Sequence, residues 1–219
     1  MAPLYRKGSS VEIPASFIKY LYIERRELVL KALRGDLNKE ELLIGFTRHT
    51  PAFVTQGPAG LNASIKGVGF LPREAYLHAV LRALRRFIQR PDRNLKEALE
   101  VLLEYVYPKE YHDKIDFTKL VSLELARKHT YINLQYNNVV TLLFYTPPNI
   151  SYEVRGTVAI HMGDEYWEYA NLVHDAFHTS FYRGRRRDWS KIPAYVIEIH
   201  EIYDNSPRKM GERIYPMEE

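Results

Sequence analysis

The stretch from Phe117 to His161, FTKLVSLELARKHTYINLQYNNVVTLLFYTPPNISYEVRGTVAIH, constrains the fold more than any other. Phe117–Leu125 alternates apolar and polar residues. Val139–Tyr145 is the near-continuous apolar run VVTLLFY, and Ile150–His161 alternates again through Tyr152, Val154 and Val158. Alternation over a few residues marks a strand with one wet face, and a short apolar run fits a strand covered on both. The stretch therefore predicts three strands. Between the first two lies the connector Ala126–Gln135, read as a short helix and carrying Arg127, Lys128, His129, Thr130 and Asn133. Cations, an imidazole, a hydroxyl and an amide gathered at the mouth of a small sheet suit an anionic ligand.

The flanking segments extend this pattern. Phe17–Leu33 reads as a helix ending near Gly35. Asn38 starts another, with Glu41 three residues on in the manner of a capping box and Leu42, Leu43 and Phe46 as its apolar face. Ala52–Thr55 and Leu61–Phe70 read as strands joined by the turn Gly57-Pro58-Ala59-Gly60. Parity puts Leu61, Ala63 and Ile65 on one face of the second strand and Asn62, Ser64 and Lys66 on the other. Gly67 and Gly69 point to a bulge or a close backbone approach. In Pro72–Tyr107, Leu77, Val80, Leu81, Leu84, Phe87 and Ile88 recur at helical spacing, and Asn94 with Glu97 opens a second helix. Asp164–Tyr182 reads as an aromatic-rich helix, 183–187 as a basic turn, and Ile192–Ile202 as the last strand. The sum is mainly β with added helices (α+β): six antiparallel strands in one barrel, interrupted by a helical hairpin. The expected organisation is an N-terminal extension over 1–37, a barrel domain over 38–207 with its insertion at 72–107, and a polar tail over 208–219.

Composition narrows the chemistry. The 219 residues include no Cys, which removes disulfides, thiolate metal sites and cysteine nucleophiles. The net charge of +4 suits an anionic small ligand without demanding nucleic acid. No apolar run approaches the roughly 20 residues that cross a bilayer, and the opening residues have no apolar core behind their charges. The expectation is a cytoplasmic protein without membrane contact; the missing Cys and the 17 Tyr fit a thermophile. His174 and His178 are four apart on one helix, but Asp175, Ala176 and Phe177 between them supply no Glu in the zincin slot, so they read as stacked histidines and no metal is expected. No nucleophile elbow, Walker loop or dinucleotide fingerprint is present. Two other readings stand beside a ligand-binding barrel. One is a nucleic-acid face built on RGRRR with Tyr182 and Trp189. The other is a dimer scaffold built on Leu81, Leu84 and Leu102.

Four pieces in order resemble the FMN-binding split-barrel proteins of the pyridoxamine phosphate oxidase-like group. They are NKEELLIGFTRHTPAFVTQGPAGLNASIKGVGFLP, ARKHTYINLQYNNVVTLLFY, SYEVRGTVAIHMGDEYWEYANLVHDAF and AYVIEIHEIYDNSP. They cover most of 38–207 outside the helical excursion. The resemblance implies a six-stranded split barrel, a homodimer and FMN at the dimer interface. It implies that Lys66, with Ser64 on the same face, approaches the phosphate or ribityl chain. It implies that Lys128, His129 and Thr130 hold the phosphate beside Asn133, and that Arg186 and Trp189 reach in from the other subunit. The connector departs from the family in placing His129 before Thr130, with Lys128 one earlier. A flavin-dependent oxidoreductase acting on a small redox substrate follows; binding of flavin, deazaflavin or haem without turnover is the alternative.

Overall fold

The computed structural model describes residues 12–179 and 187–217. Its strands are β1 (Ala52–Gly57), β2 (Gly60–Ile65), β3 (Val68–Pro72), β4 (Ile115–Leu123), β5 (Val139–Thr146), β6 (Ile150–His161), β7 (Ala194–Asp204) and β8 (Glu212–Tyr215). They form one sheet in the order β2-β1-β5-β6-β7-β4-β3, with β8 paired to β7, and every pairing is antiparallel. The two strands at the ends of that order, β2 and β3, are separated in sequence by Lys66 and Gly67 alone. A sheet whose opposite edges are joined by two residues has to roll up on itself. Lys66 and Gly67 therefore mark the seam of a split barrel.

The α+β class and antiparallel architecture hold, but the strands number eight rather than six. Leu61–Phe70 is not one bulged strand: the chain breaks at Lys66-Gly67 and leaves one sheet edge for the other. The Gly67 carbonyl is held by the Ser122 hydroxyl at 2.8 Å. The eighth strand comes from the polar tail, where exposure hides the alternation.

Inward-facing residues fill the roll. On β5, Val140, Leu142 and Phe144 are buried, as are Tyr152, Val154 and Val158 on β6. One end is plugged by α1 (Ala15–Ile18), which continues through a π-helical turn (Lys19–Ile23) into α2 (Glu24–Arg34). Phe17 of α1 is fully buried and meets Phe70, Phe144 and Tyr152 edge-on, with ring centroids 6.2, 5.7 and 5.4 Å away. Burial of such a ring contributes on the order of 2–3 kcal/mol, and edge-to-face geometry adds to it. After Gly35, at φ 78°, α3 (Lys39–Arg48) starts with the expected capping box: Asn38 accepts from the Glu41 amide at 2.8 Å, and Glu41 accepts from the Asn38 amide at 3.3 Å.

The helical excursion comprises α4 (Glu74–Gln89) and α5 (Leu95–Val101), the latter ending in a π-helical turn, Leu102–Val106. The apolar stripe of α4 faces α7 (Glu165–Phe177). Leu81, Leu84 and Leu102 have no exposure at all, so they bind the excursion to its own chain and cannot form a dimer scaffold. A different apolar surface is left open. The outward residues of β2, β1 and β5 lie in register, Ile65 beside Ala52 beside Leu143, and Ala63 beside Val54 beside Thr141. Ile65, Leu143, Leu61, Val139 and Tyr145 on this face, with Leu42, Leu43 and Phe46 on α3, are all exposed. The run VVTLLFY is thus covered on one face only. An apolar run alone therefore does not show that a strand is covered on both faces.

Candidate functional site

A cavity of about 560 Å³ opens at the seam. Ser64, Lys66, Gly67 and Val68 form one wall, and Ser122–Ala126, at the end of β4, form the next. The α2 side brings Leu21, Tyr22 and Arg25, and α7 brings Tyr169, His174 and Phe177. This size and mostly apolar lining match small-molecule sites in general.

Lys66 ends β2 facing inward and meets Glu124, at the end of β4. The ammonium lies 2.7 Å from Glu124 Oε2, with side chains 9% and 2% exposed. The same oxygen accepts the Tyr195 hydroxyl at 2.9 Å, and Oε1 accepts the backbone N–H groups of Ala126 and Arg127 at 2.9 and 2.8 Å. Burial raises the carboxyl's pKa. The Lys66 hydrogen bond and charge, with the two amides, outweigh that and hold it below the usual carboxylate range. Tyr195 is shifted upward, first by burial and then by the adjacent carboxylate, so it stays a phenol. Arg127 takes φ 50° to bring its amide to Glu124; this left-handed geometry costs a non-glycine residue about 1 kcal/mol. Lys66 has a single hydrogen-bond acceptor among the described residues, which leaves two N–H groups for the cavity it lines.

The connector docks beside this pair. Its helix, α6 (His129–Leu134), buries Thr130 and Asn133. Thr130 Oγ1 lies 2.9 Å from the Ser64 hydroxyl and accepts the Asn62 amide at 2.8 Å. Asn133 is consumed by the β1–β2 turn: it accepts from the Ala59 amide at 2.9 Å and donates to the Gly60 carbonyl at 2.8 Å and to Thr55 at 3.3 Å. Gly57 is required there, because a Cβ would lie 2.9 Å from the Asn133 Cα. Lys128 and His129 are exposed at the start of the connector helix. The structure thus puts Ser64 and Lys66 on the cavity wall and joins Ser64 to Thr130, which does not itself line the cavity. Lys128 and His129 are exposed and do not line it either, and Asn133 is a structural clasp.

Trp189 donates its indole N–H to Asp175 at 2.9 Å and packs edge-on to Trp167. Arg187 is held by Asp175 at 2.9 Å and Asn171 at 2.7 Å. Arg186 and the rest of the basic turn, Arg183 to Arg185, lie outside the described residues. His174 and His178 lie with ring centroids 4.3 Å apart but tilted at 52° rather than stacked, and no group of three or more potential metal ligands occurs among the described residues.

Sequence reasoning missed Glu124, Arg25 and His49. Glu124 had a signal: a single acid inside the apolar run LVSLEL, at a position the sheet buries. His49 lines the cavity, and burial first, then the nearby Arg25 charge, push its pKa down to about 3, so it is a neutral imidazole. Arg25 sits with its guanidinium carbon 5.0 Å from the centre of the Phe177 ring.

No family model matches the sequence, and no curated protein matches it. Solved structures with a similar course include HupZ of Group A Streptococcus, at 14% identity and TM-score 0.42, covering 78% of this chain and 95% of that one. A putative pyridoxamine 5'-phosphate oxidase from Listeria innocua matches at 11% identity and TM-score 0.43, covering 75% and 94%. A pyridoxamine 5'-phosphate oxidase-related, FMN binding protein from Nostoc punctiforme matches at 12% and 0.40, covering 82% and 99%. At these values, what this chain binds has to be argued from its own residues. No described helix is long and apolar enough to cross a membrane.

Proposed function

We propose that the chain is an FMN-binding split-barrel protein, a homodimer that acts as a flavin-dependent oxidoreductase on a small molecule. The observation that carries this reading is the seam cavity itself. It combines aromatic and aliphatic walls with a buried ammonium that has one acceptor among the described residues and with the Ser64 hydroxyl, which lies 2.9 Å from Thr130. The residues fit the cofactor in two parts. The apolar walls suit a flat ring system, and Lys66, neutralised by Glu124, suits a neutral ring oxygen or nitrogen or a ribityl hydroxyl better than a full negative charge. A phosphate falls to Thr130 and Ser64, with Lys128 and His129 on the wet rim.

Hydride chemistry is what a flavin supplies when bound. The chain's own residues perform the remaining tasks. Lys66 orients through two N–H groups, and Glu124 holds Lys66 in place. Tyr195 and the Ala126 and Arg127 amides fix Glu124, while the walls exclude water. This reading needs no protein nucleophile.

The open face of β2, β1 and β5 supports the dimer. A contiguous apolar patch of this kind on a sheet marks an interaction surface, and a self-complementary patch related by a two-fold axis is the commonest solution. The proposal assigns that face to a second copy of the chain.

The test is the absorbance of the purified protein and the mass of whatever heat releases from it. The expected result is a yellow protein with flavin bands, or a colourless one that acquires them with added FMN. A protein that is colourless and stays so with FMN contradicts the reading.

A further inference from the structure

Among the described residues, two Arg or Lys side chains line the cavity, Lys66 and Arg25, and their states differ. Lys66 is cancelled by Glu124. Arg25 is not cancelled. Its Nε is buried without a hydrogen-bond partner, and no ion pair with a described residue forms. Outside the described residues, Glu218 and Glu219 are the sole acidic side chains. Arg25 lies over the Phe177 ring near an uncharged His49, and the same cavity is lined by Leu21, Val106, Tyr107 and Val173. A guanidinium held among apolar groups with a buried donor unmet is costly, and proteins keep such a group where something else completes it.

We propose that the α2 side of the cavity binds a second small molecule, an apolar acid with one carboxylate on an aromatic or aliphatic body, with its carboxylate on Arg25. The Arg25 guanidinium, with its buried Nε unmet, sets the class: it accepts an anion. The lining sets the body, since Phe177, Val173 and Val106 offer no hydrogen bonds to a polar one. Arg25 presents a planar fork suited to a carboxylate. The site lies on the wall built by the N-terminal helix and the excursion, apart from the wall carrying Lys66, and it stands whether or not a flavin occupies the seam.

The test uses calorimetric titration of the full chain with 1-naphthylacetate and its neutral counterpart 1-naphthylacetamide, both without FMN and with FMN present. The expected result is that the acid binds at least about tenfold tighter than the amide. Arg25→Met brings the acid to the amide's level, and Arg25→Lys keeps most of the preference. The melting temperature of Arg25→Met does not fall, because an unmet donor is removed. Equal binding of acid and amide, binding of neither, or unchanged acid binding in Arg25→Met overturns the proposal. Competition between acid and FMN, coupled to weaker FMN uptake in Arg25→Met, also overturns it and assigns the guanidinium to the flavin phosphate. Acid binding by a protein that takes up no FMN leaves this proposal standing while the flavin reading falls.

Discussion

The cationic groups at the seam fall into two regions with opposite physics. Lys66 is buried and locked to a carboxylate that is itself held by a phenol and two amides. Lys128 and His129 are exposed on the connector rim and share their surroundings with water. A buried, neutralised pair gives direction but little net charge, whereas a rim cation gives charge but little direction. The contrast teaches that a basic residue's place in a sequence motif does not say which service it performs. Lys66, the residue a motif would assign to an anion, is the one whose charge is already balanced.

The largest expected effect follows from breaking the buried pair. Glu124→Leu leaves the Lys66 ammonium without its partner and lowers unfolding free energy by about 3–5 kcal/mol in denaturant titration. The double variant Glu124→Leu/Lys66→Met recovers most of that loss. If the single and double variants are equally unstable, the pair is not the coupled unit described here. Next in size, Thr130→Val removes the hydroxyl joining connector to β2 and weakens FMN binding by about 1–3 kcal/mol, read from a fluorescence titration. An unchanged affinity takes the phosphate away from that wall. Lys66→Ala and Lys128→Ala each weaken FMN binding within the same range of about 1–3 kcal/mol. They separate with salt: the Lys128 effect shrinks toward zero as ionic strength rises toward 1 M, and the Lys66 effect persists.

The two faces of the β2-β1-β5 sheet offer another contrast, one packed and one open. If the proposed homodimer forms through the open face, Leu61→Glu or Leu143→Glu converts it to folded monomers in sedimentation runs. A dimer that survives both changes uses another surface.

A further contrast concerns pH. His49 has a folded-state pKa of about 3 against roughly 6.5 in an unfolded chain. Between those values the unfolded chain binds the extra proton, so stability falls as pH drops from about 6.5 toward 3. Glu124, also held down in the fold, adds its own loss as pH falls below the unfolded carboxylate range. His49→Leu flattens the upper part of that decline. A wild-type profile already flat from pH 6.5 to 4.5 contradicts the buried neutral imidazole.

Much of this was legible in the sequence. Alternation placed the strands, and Asn38-x-x-Glu41 placed a helix start. The spacing of Leu77 to Ile88 placed the buried stripe of α4. Parity put Ser64 and Lys66 on one face, and both line the cavity. What escaped depends on distance in space. The Lys66-Gly67 break is visible only when β2 and β3 lie at opposite sheet edges. Glu124 matters because rolling brings the end of β4 to the end of β2. Asn133 is polar and lies in the connector, yet its amide is spent on Ala59 and Gly60, which no periodicity reveals. Arg25 gains its meaning from the carboxylates that are not near it.

The most direct test of the seam as a flavin site is an equilibrium titration of stripped protein with FMN, followed by flavin fluorescence. Saturable uptake of one FMN per chain, weakened by Lys66→Ala and Thr130→Val, is the result expected here. No saturation up to concentrations on the order of 1 mM, a Kd range where binding is worth only about 4 kcal/mol, contradicts it.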